Sequence, residues 1–593
     1  MSYLLTISIG PVQEFIASAR RSRDLWFGSW LLSELSKAAA HRIVTEQGGN
    51  LNCLIFPKPE TMADLNEDSA FNVVNKIVAL IDRPPDEIGK AAYEALIGRL
   101  RGIRDKAFTH IEDKGNYFHR AVAQMQVDDL IEYFWAAASL EDPNDAAQYT
   151  EARNLAETLL AARKATRDFK QVLPRPAGWA ANVPKSSLDG MRESVIDEKA
   201  YDGKLGPSEL RIQYGVRVGE RLCGVGLLKR HGNRGGDDSF LSTSHVAALP
   251  LLENLQDRDA VADYIRDLSA LLVEIEAKKL YKIFGRVPER SAHTMFDRYD
   301  GHLLFEGRLG EFFEGLDLTK AKKALERFLK RAFGDEQPNP YYALLVADGD
   351  RMGRAIDEQR DLAGHSKLSY QLRVFAKNVR SLVEKDHQGS LVYAGGDDVL
   401  AFVPLHTALQ CARALAQRFK AEMSAFTLSE VDNDGKALSP TLSVGIAISH
   451  HIEPLSDALQ LARRAEKAAK DAGRNALAIT LSKRSGVDRT VKGRWGTLDI
   501  RMDRFVWLHR AEAIRILKRK RAEQGQKPMA ETDLSELTRF INDPNLSIEQ
   551  LADELIIARE FAKATRQAGI NLQAPPSASV AEEPVTPKAE DES

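Results

Sequence analysis

Short apolar runs alternate with stretches of helical period from the first residues onward. YLLTISI at 3–9 is an unbroken apolar run that predicts a buried strand, and GPVQEF turns the chain. IASARRSRDLWFGSWLLSELSKAAAHRIV then carries apolar residues at helical spacing. CLIFP at 53–57 predicts a short strand, 87–108 and 145–170 predict helices, and DDLIEYFWAAASL between them predicts another strand. Together these describe an α/β unit whose strands are distant in sequence.

The pattern breaks down from 173 to 240, which is rich in Gly, Pro and Arg. Much of 241–333 has helical period, including ALPLLENL, DAVADYIRDLSALLVEIEAKKLYKIF and TKAKKALERFLKRAF, and GDEQPNP reads as a linker. A second unit follows. YYALLVADGD is a strand ending in acids, 367–385 a helix, and SLVYAGG with DDVLAFV a hairpin. A helix over 405–424, the strand LSPTLSVGIAISH, the helix LSDALQLARRAEKAAKDAGRNAL and the strand ALAIT complete it. This β-α-β-β-α-β order is that of a ferredoxin-like or polymerase-palm unit. LLTISIGPVQEFI and LLVADGDRMGRAI share one shape, with Ser8 opposite Asp348 and Gly10 opposite Asp350, so the first unit reads either as a second palm without carboxylates or as a chance likeness of two strand–turn–helix units.

The fold class expected is α+β: two ferredoxin-like, palm-type domains with intervening and C-terminal helical domains. The expected domains are 1–172, first palm; 173–240, irregular; 241–335, helical; 336–490, acidic palm; 491–574, helical; and 575–593, a disordered Pro-, Glu- and Ser-rich tail.

Composition adds limits. With 593 residues, 44% hydrophobic and 28% charged, the chain has an ordinary globular profile and room for several cores. No apolar run is long enough to cross a membrane, and the N-terminus lacks the features of a signal peptide. A net charge of −3 argues against a protein that coats nucleic acid over its whole surface, while allowing a local basic groove. Cys53, Cys223 and Cys411 imply no disulfide framework and cannot make a four-cysteine zinc site, so the cytoplasm is the expected compartment. HExxH, GxSxG and Walker A motifs are absent, and no histidine directly precedes an aspartate.

The chemistry concentrates in VADGD and YAGGDDVLAFVP. Adjacent carboxylates inside an apolar hairpin are costly unless a cation shares their charge. In the palm topology Asp348 lies beside the Asp397–Asp398 hairpin, where two Mg²⁺ (or Mn²⁺) ions would offset the repulsion and serve phosphate chemistry. Gly395 and Gly396 let the turn tighten and a nucleotide approach, with Gly349 between the two acids of the first strand. Asp350 is either part of the site or the residue that orients the following turn. Ser443 is placed to line the site. Lys467, Lys470 and Arg474 share a helix face, suited either to triphosphate oxygens or to solvent with Glu466 as partner. Arg20, Arg21 and Arg23 precede Trp26 and Trp30, an arrangement that either binds nucleotides or packs its tryptophans in a core. RILKRKRAEQGQK, from Arg515, suits a phosphate backbone, an acidic partner or solvent.

GPVQEFIASARRSRDLWFGSWLLSELS, LCGVGLLKR, FLSTSHVA, VADGDRMG and YAGGDDVLAFVP together resemble the large, palm-containing subunit of type III CRISPR effector complexes, in its Cmr (III-B) form. The resemblance implies two palms facing each other across a composite nucleotide site. It implies synthesis of cyclic oligoadenylates from ATP when target RNA pairs with the guide, with Asp397 and Asp398 as the motif acids and Asp348 as their partner. It implies a helical C-terminal domain against the small subunits, and as partners guide CRISPR RNA, target RNA and the other III-B subunits, backbone and small. Many members begin with a histidine–aspartate nuclease domain; no such pair appears in these residues, so nuclease activity is not expected of them. Many also carry paired CxxC zinc ligands, but here Gly226 stands where a second cysteine would follow Cys223, so the resemblance makes 173–240 a degenerate zinc-finger-like region and no zinc is expected. The alternatives are a catalytically silent, ATP-binding subunit of the same complex and a free-standing cyclic dinucleotide synthase.

Overall fold

The computed structural model describes residues 2–166, 183–233, 240–272, 287, 296, 299–311, 313, 318–431, 435–484, 486–509 and 546–570. The basic run from Arg515 and the C-terminal tail lie outside these residues.

The first apolar run forms β1 (Ser2–Gly10), and the Arg/Trp segment forms α1 (Ser22–Glu46). Then come β2 (Leu54–Phe56), β3 (Lys76–Ile81), α2 (Pro85–Thr109), β4 (Glu132–Leu140) and α3 (Ala146–Ala165). The four strands make a sheet of order β2-β3-β1-β4. Sequence periodicity missed β3: KIVALI is apolar on both faces, a short pattern that does not separate strand from helix.

The irregular region contains α4 (Gly224–His231), followed by α5 (Thr243–Leu252) and α6 (Leu318–Phe333). The second unit comprises β5 (Tyr341–Asp350), α7 (Leu362–Ser381), β6 (Ser390–Gly395), β7 (Asp398–Val403) and α8 (Leu405–Met423). It continues with β8 (Thr441–His450), α9 (Leu455–Asp471), β9 (Ala476–Leu481) and β10 (Arg489–Arg494). Its six-stranded sheet runs β10-β9-β8-β5-β7-β6. β10 was also missed, because only Val491 of RTVKGR is buried and pairing with β9 alone makes it a strand. α10 (Ile548–Gln567) packs against α8 and β10. The architecture is α+β, with two palm-like sheets flanked by helices. Among the described residues no helix is long and apolar enough to cross a membrane.

The four strands of the first sheet follow the order of four strands in the second, β2-β3-β1-β4 against β6-β7-β5-β8. β1 pairs antiparallel with β3 and β4 as β5 pairs with β7 and β8. Ser8 faces Lys76 and Phe134; Asp348 faces Ser443, and one step past the Ala347–Val399 pair it lies beside Asp398. At β5 and β7 the second sheet is buried on both sides. One face packs Leu345, Val399 and Ala401 with α7 and α8. The other packs Leu344, Leu400 and Phe402 with α9 and with residues of α1, so the halves share a core.

Candidate active site

The acidic hairpin sits against the N-terminal half. The Asn72 side-chain amide donates to the Ala394 carbonyl at 3.5 Å, and a β-carbon on Gly395 would lie 3.3 Å from Val74. Arg373 of α7 pairs with Glu60 (2.8 Å) and Asp64 (3.1 Å) across the same boundary. Gly396 takes a left-handed φ of 71°, which its lack of a side chain permits. The turn thereby presents Asp397 and starts β7 at Asp398.

Strand alternation puts Asp348 and Asp398 on one face, while Asp397 sits in the turn between β6 and β7. Asp348 points toward α9, where Lys470 Nζ contacts its Oδ2. Asp398 faces the same helix, within the fields of Glu466 and Arg463. Asp397 lies over Gly349 on the reverse side: a β-carbon at Gly349 would be 2.8 Å from Asp397 Cβ and 3.0 Å from its Oδ2. Among the described residues no three acidic, histidine or cysteine side chains form a group that could hold a metal ion. The predicted acids are thus neighbours on adjoining strands, with Asp348 and Asp398 on one face and Asp397 behind them.

Electrostatics single out the hairpin pair. Burial pushes the Asp397 carboxyl up to about 6. Asp398 is pushed up to about 7 by burial and then by the charges of Asp397 and Glu466. Neither forms a salt bridge with another described residue. Burial also raises Glu466 and lowers Lys470. Two half-buried carboxylates short of positive charge are the donor chemistry a hard divalent cation prefers. The donor type therefore suits magnesium or manganese, with Asp348 and Asp398 on one face to receive it.

Asp350 has a different environment. It is 1% exposed and accepts from Thr441 Oγ1 (2.8 Å), Ser443 Oγ (2.8 Å) and the Asn475 amide (2.9 Å). It ties the end of β5 to β8 and to the turn after α9, while Ser443, fully buried, spends its hydroxyl on this tie. Thr441 and Asn475 were not singled out in sequence, because only the fold brings them to Asp350. Lys467 and Arg474 are exposed near the end of α9 and just after it, and Arg474 adopts a left-handed φ of 62°.

The N-terminal arginines lie elsewhere. The Arg23 guanidinium donates to the carbonyls of Lys229 (2.7 Å) and Gly232 (2.6 Å), closing the end of α4. Arg230 of α4 is buried against Asp24 (2.7 Å) and Glu220 (2.9 Å), with Arg21 also on Glu220 at 3.4 Å. Ser22 Oγ donates to the Leu241 carbonyl at 2.5 Å. Three motifs far apart in sequence thus meet in one buried polar core. Trp26 stacks with Trp30 and Phe240 at ring separations of 6.2 and 6.1 Å, the packed alternative for that helix. Arg20 remains exposed. Cys223 caps α4, its sulfur accepting from the Gly226 amide at 3.4 Å. A cleft of about 1280 Å³ opens beside the end of β1, lined by Tyr93, Tyr133, Trp135, Arg163 and Lys229 among others. None of the predicted site residues lines it, and the carboxylate chemistry lies in the other half.

Comparison with known proteins agrees with the two sheets. The family model for the second palm domain of Cas10/Cmr2 matches residues 341–478, and that for the N-terminal part of CRISPR-associated protein Cmr2 matches 4–103. The CRISPR system Cmr subunit Cmr2 of Pyrococcus furiosus is 28% identical, with 82% of this chain and 62% of that protein covered. The chain thus spans less than two thirds of that relative's length. The type III-B Cmr-beta cryo-EM structure in the apo state gives a TM-score of 0.54 at 14% identity, covering 83% of this chain and 70% of that one. The form bound to cognate target RNA gives 0.54 at 13%, covering 83% and 71%. These structures speak to the fold alone. Over β1 to β3 of the first sheet and from β5 to the start of β9 in the second, the chain is thus similar to palm proteins of the Cas10/Cmr2 family.

Proposed function

We propose that this protein is the large subunit of an RNA-guided type III-B effector that makes cyclic oligoadenylates from ATP when target RNA is recognised. The observation that carries this reading is the Asp397–Asp398 pair, half-buried, raised toward neutral pH and placed beside Asp348 by the strand register. Asp348, Asp397 and Asp398 would hold magnesium or manganese, which when bound activates an attacking hydroxyl and stabilises the departing pyrophosphate. Gly349 leaves room for Asp397, and Gly395 and Gly396 shape the turn. Asp350 and Ser443 position β5 against β8 rather than touch substrate. Lys467, Lys470 and Arg474 supply positive charge for a triphosphate at the end of α9. Guide RNA, target RNA and the other III-B subunits are the proposed partners, with specificity carried by base pairing.

The test incubates the assembled complex with guide-matched target RNA, Mg²⁺ and ATP, and identifies products by mass. Asp397→Ala with Asp398→Ala should lower turnover more than about 100-fold while assembly is retained. Unchanged product formation would reject the assigned site.

A further inference from the structure

The same helix position carries a glutamate in both halves. Ser2 pairs with Leu140, and Tyr342 with Ser449. Both following helices begin six residues later, at Ala146 (from 140) and Leu455 (from 449). The equivalence carries Glu157 of α3 onto Glu466 of α9. In the N-terminal half Lys76, at the strand position that Asp398 occupies in the other, closes on Glu157 at 2.7 Å. In the second half that strand position is acidic, and the ammonium comes instead from the helix. Lys470 Nζ lies 3.0 Å from Glu466 Oε1 and touches Asp348 Oδ2. Each half thus holds one ammonium on the equivalent glutamate, but in the second half it also covers a carboxylate of the acidic site.

We propose that Lys470 is a built-in counter-ion, held against Asp348 by Glu466, which must leave that carboxylate before a divalent cation takes it. This rests on the reading of Asp348, Asp397 and Asp398 as cation ligands. An ammonium on a ligand oxygen both occupies the oxygen and repels an incoming cation. Glu466 is well placed to hold the lysine, because α9 lies directly on β8. A β-carbon on Gly445 would meet the Glu466 amide nitrogen at 2.1 Å, so the helix is seated on glycine. Lys470 can still move: its side chain is 30% exposed, and a four-carbon stem lets the charge swing outward without shifting the helix. The contact covers the Asp348 carboxylate with a positive charge, and cation entry releases that charge at the edge where a triphosphate would lie.

The experiment titrates the full chain with Mn²⁺ in the absence of nucleotide, reading free Mn²⁺ by electron paramagnetic resonance. Lys470→Gln should bind Mn²⁺ about tenfold tighter than the wild type. Lys470→Arg, which keeps the charge, should match the wild type within about twofold. Lys470→Met makes the same comparison if the glutamine variant fails to fold. Equal or weaker Mn²⁺ binding on loss of the charge would overturn the counter-ion. Asp397→Asn with Asp398→Asn separates the two levels. If it binds Mn²⁺ like the wild type, the acidic reading falls and the counter-ion with it. If it loses binding while Lys470→Gln matches the wild type, the counter-ion alone is overturned.

Discussion

Ser8, Lys76 and Phe134 in the N-terminal sheet stand where Asp348, Asp398 and Ser443 stand in the second. Four strands share one order in the two sheets, and the side chains settle their charge differently. Lys76 is satisfied by Glu157, and the Arg163 guanidinium lies over the Phe134 ring at 5.5 Å. Buried Ile9 fills the position that Gly349 leaves open. In the second sheet the matching positions place acid against acid, with a single lysine between Asp348 and Glu466. The same strand positions thus carry a paired lysine in one sheet and a group of acids in the other, and the difference lies in the residues rather than in the scaffold.

The comparison can be broken most severely at Asp350, whose counterpart is Gly10. Asp350→Ala leaves two hydroxyls and the Asn475 amide without their acceptor and should cost about 3 kcal/mol, measured by urea denaturation. No loss would mean that water replaces the carboxylate fully. Gly349→Ala tests the open position. The new β-carbon must displace Asp397 or Met352, so ATP turnover of the assembled complex should fall at least about tenfold with little change in stability. Activity at the wild-type level would show that Asp397 can shift freely.

A pH experiment sharpens the contrast. Asp397 and Asp398 titrate as a pair held at about 6 and about 7, against about 4 in an unfolded chain. Between roughly pH 4 and 7 the folded state binds more protons than the unfolded chain, so the pair's contribution to stability falls as pH rises through that window. Without divalent cations, the wild type should lose about 1–3 °C of melting temperature between pH 5 and pH 8 relative to Asp397→Asn/Asp398→Asn. A constant difference between the two proteins would contradict the raised pair. The smallest effect belongs to the N-terminal half. The Lys76–Glu157 pair is well exposed, so Lys76→Met should cost under about 1 kcal/mol in thermal or urea unfolding. A larger loss would mean that this pair does more than neutralise an old charge position.

Much of the site was legible in the residues themselves. VADGD and GGDD interrupt apolar runs with charges that a plain hairpin does not need, and the strand–helix–hairpin order around them is that of a palm. The likeness of LLTISIGPVQEFI to LLVADGDRMGRAI placed Ser8 over Asp348, and the registers of the two sheets follow the same alignment. Other features were beyond reading in one dimension. Arg20, Arg21 and Arg23 look alike on paper, yet Arg23 closes α4, Arg21 meets Glu220 and Arg20 is exposed, because residues some 200 positions away decide their surroundings. In sequence Asp350 reads either as part of the site or as the residue that orients the following turn. Burial among Thr441, Ser443 and Asn475 makes it a tie between strands.

Sequence alone determined the kind of groups at the site and the elements that carry them, since period, turn residues and charge are local properties. Only the tertiary structure decided which face each acid takes, that Asp397 lies behind Asp348 and Asp398, and that Lys470 rests on Asp348. Those outcomes depend on strand register and on how closely α9 sits on Gly445, both set by pairing and packing between segments far apart in the chain.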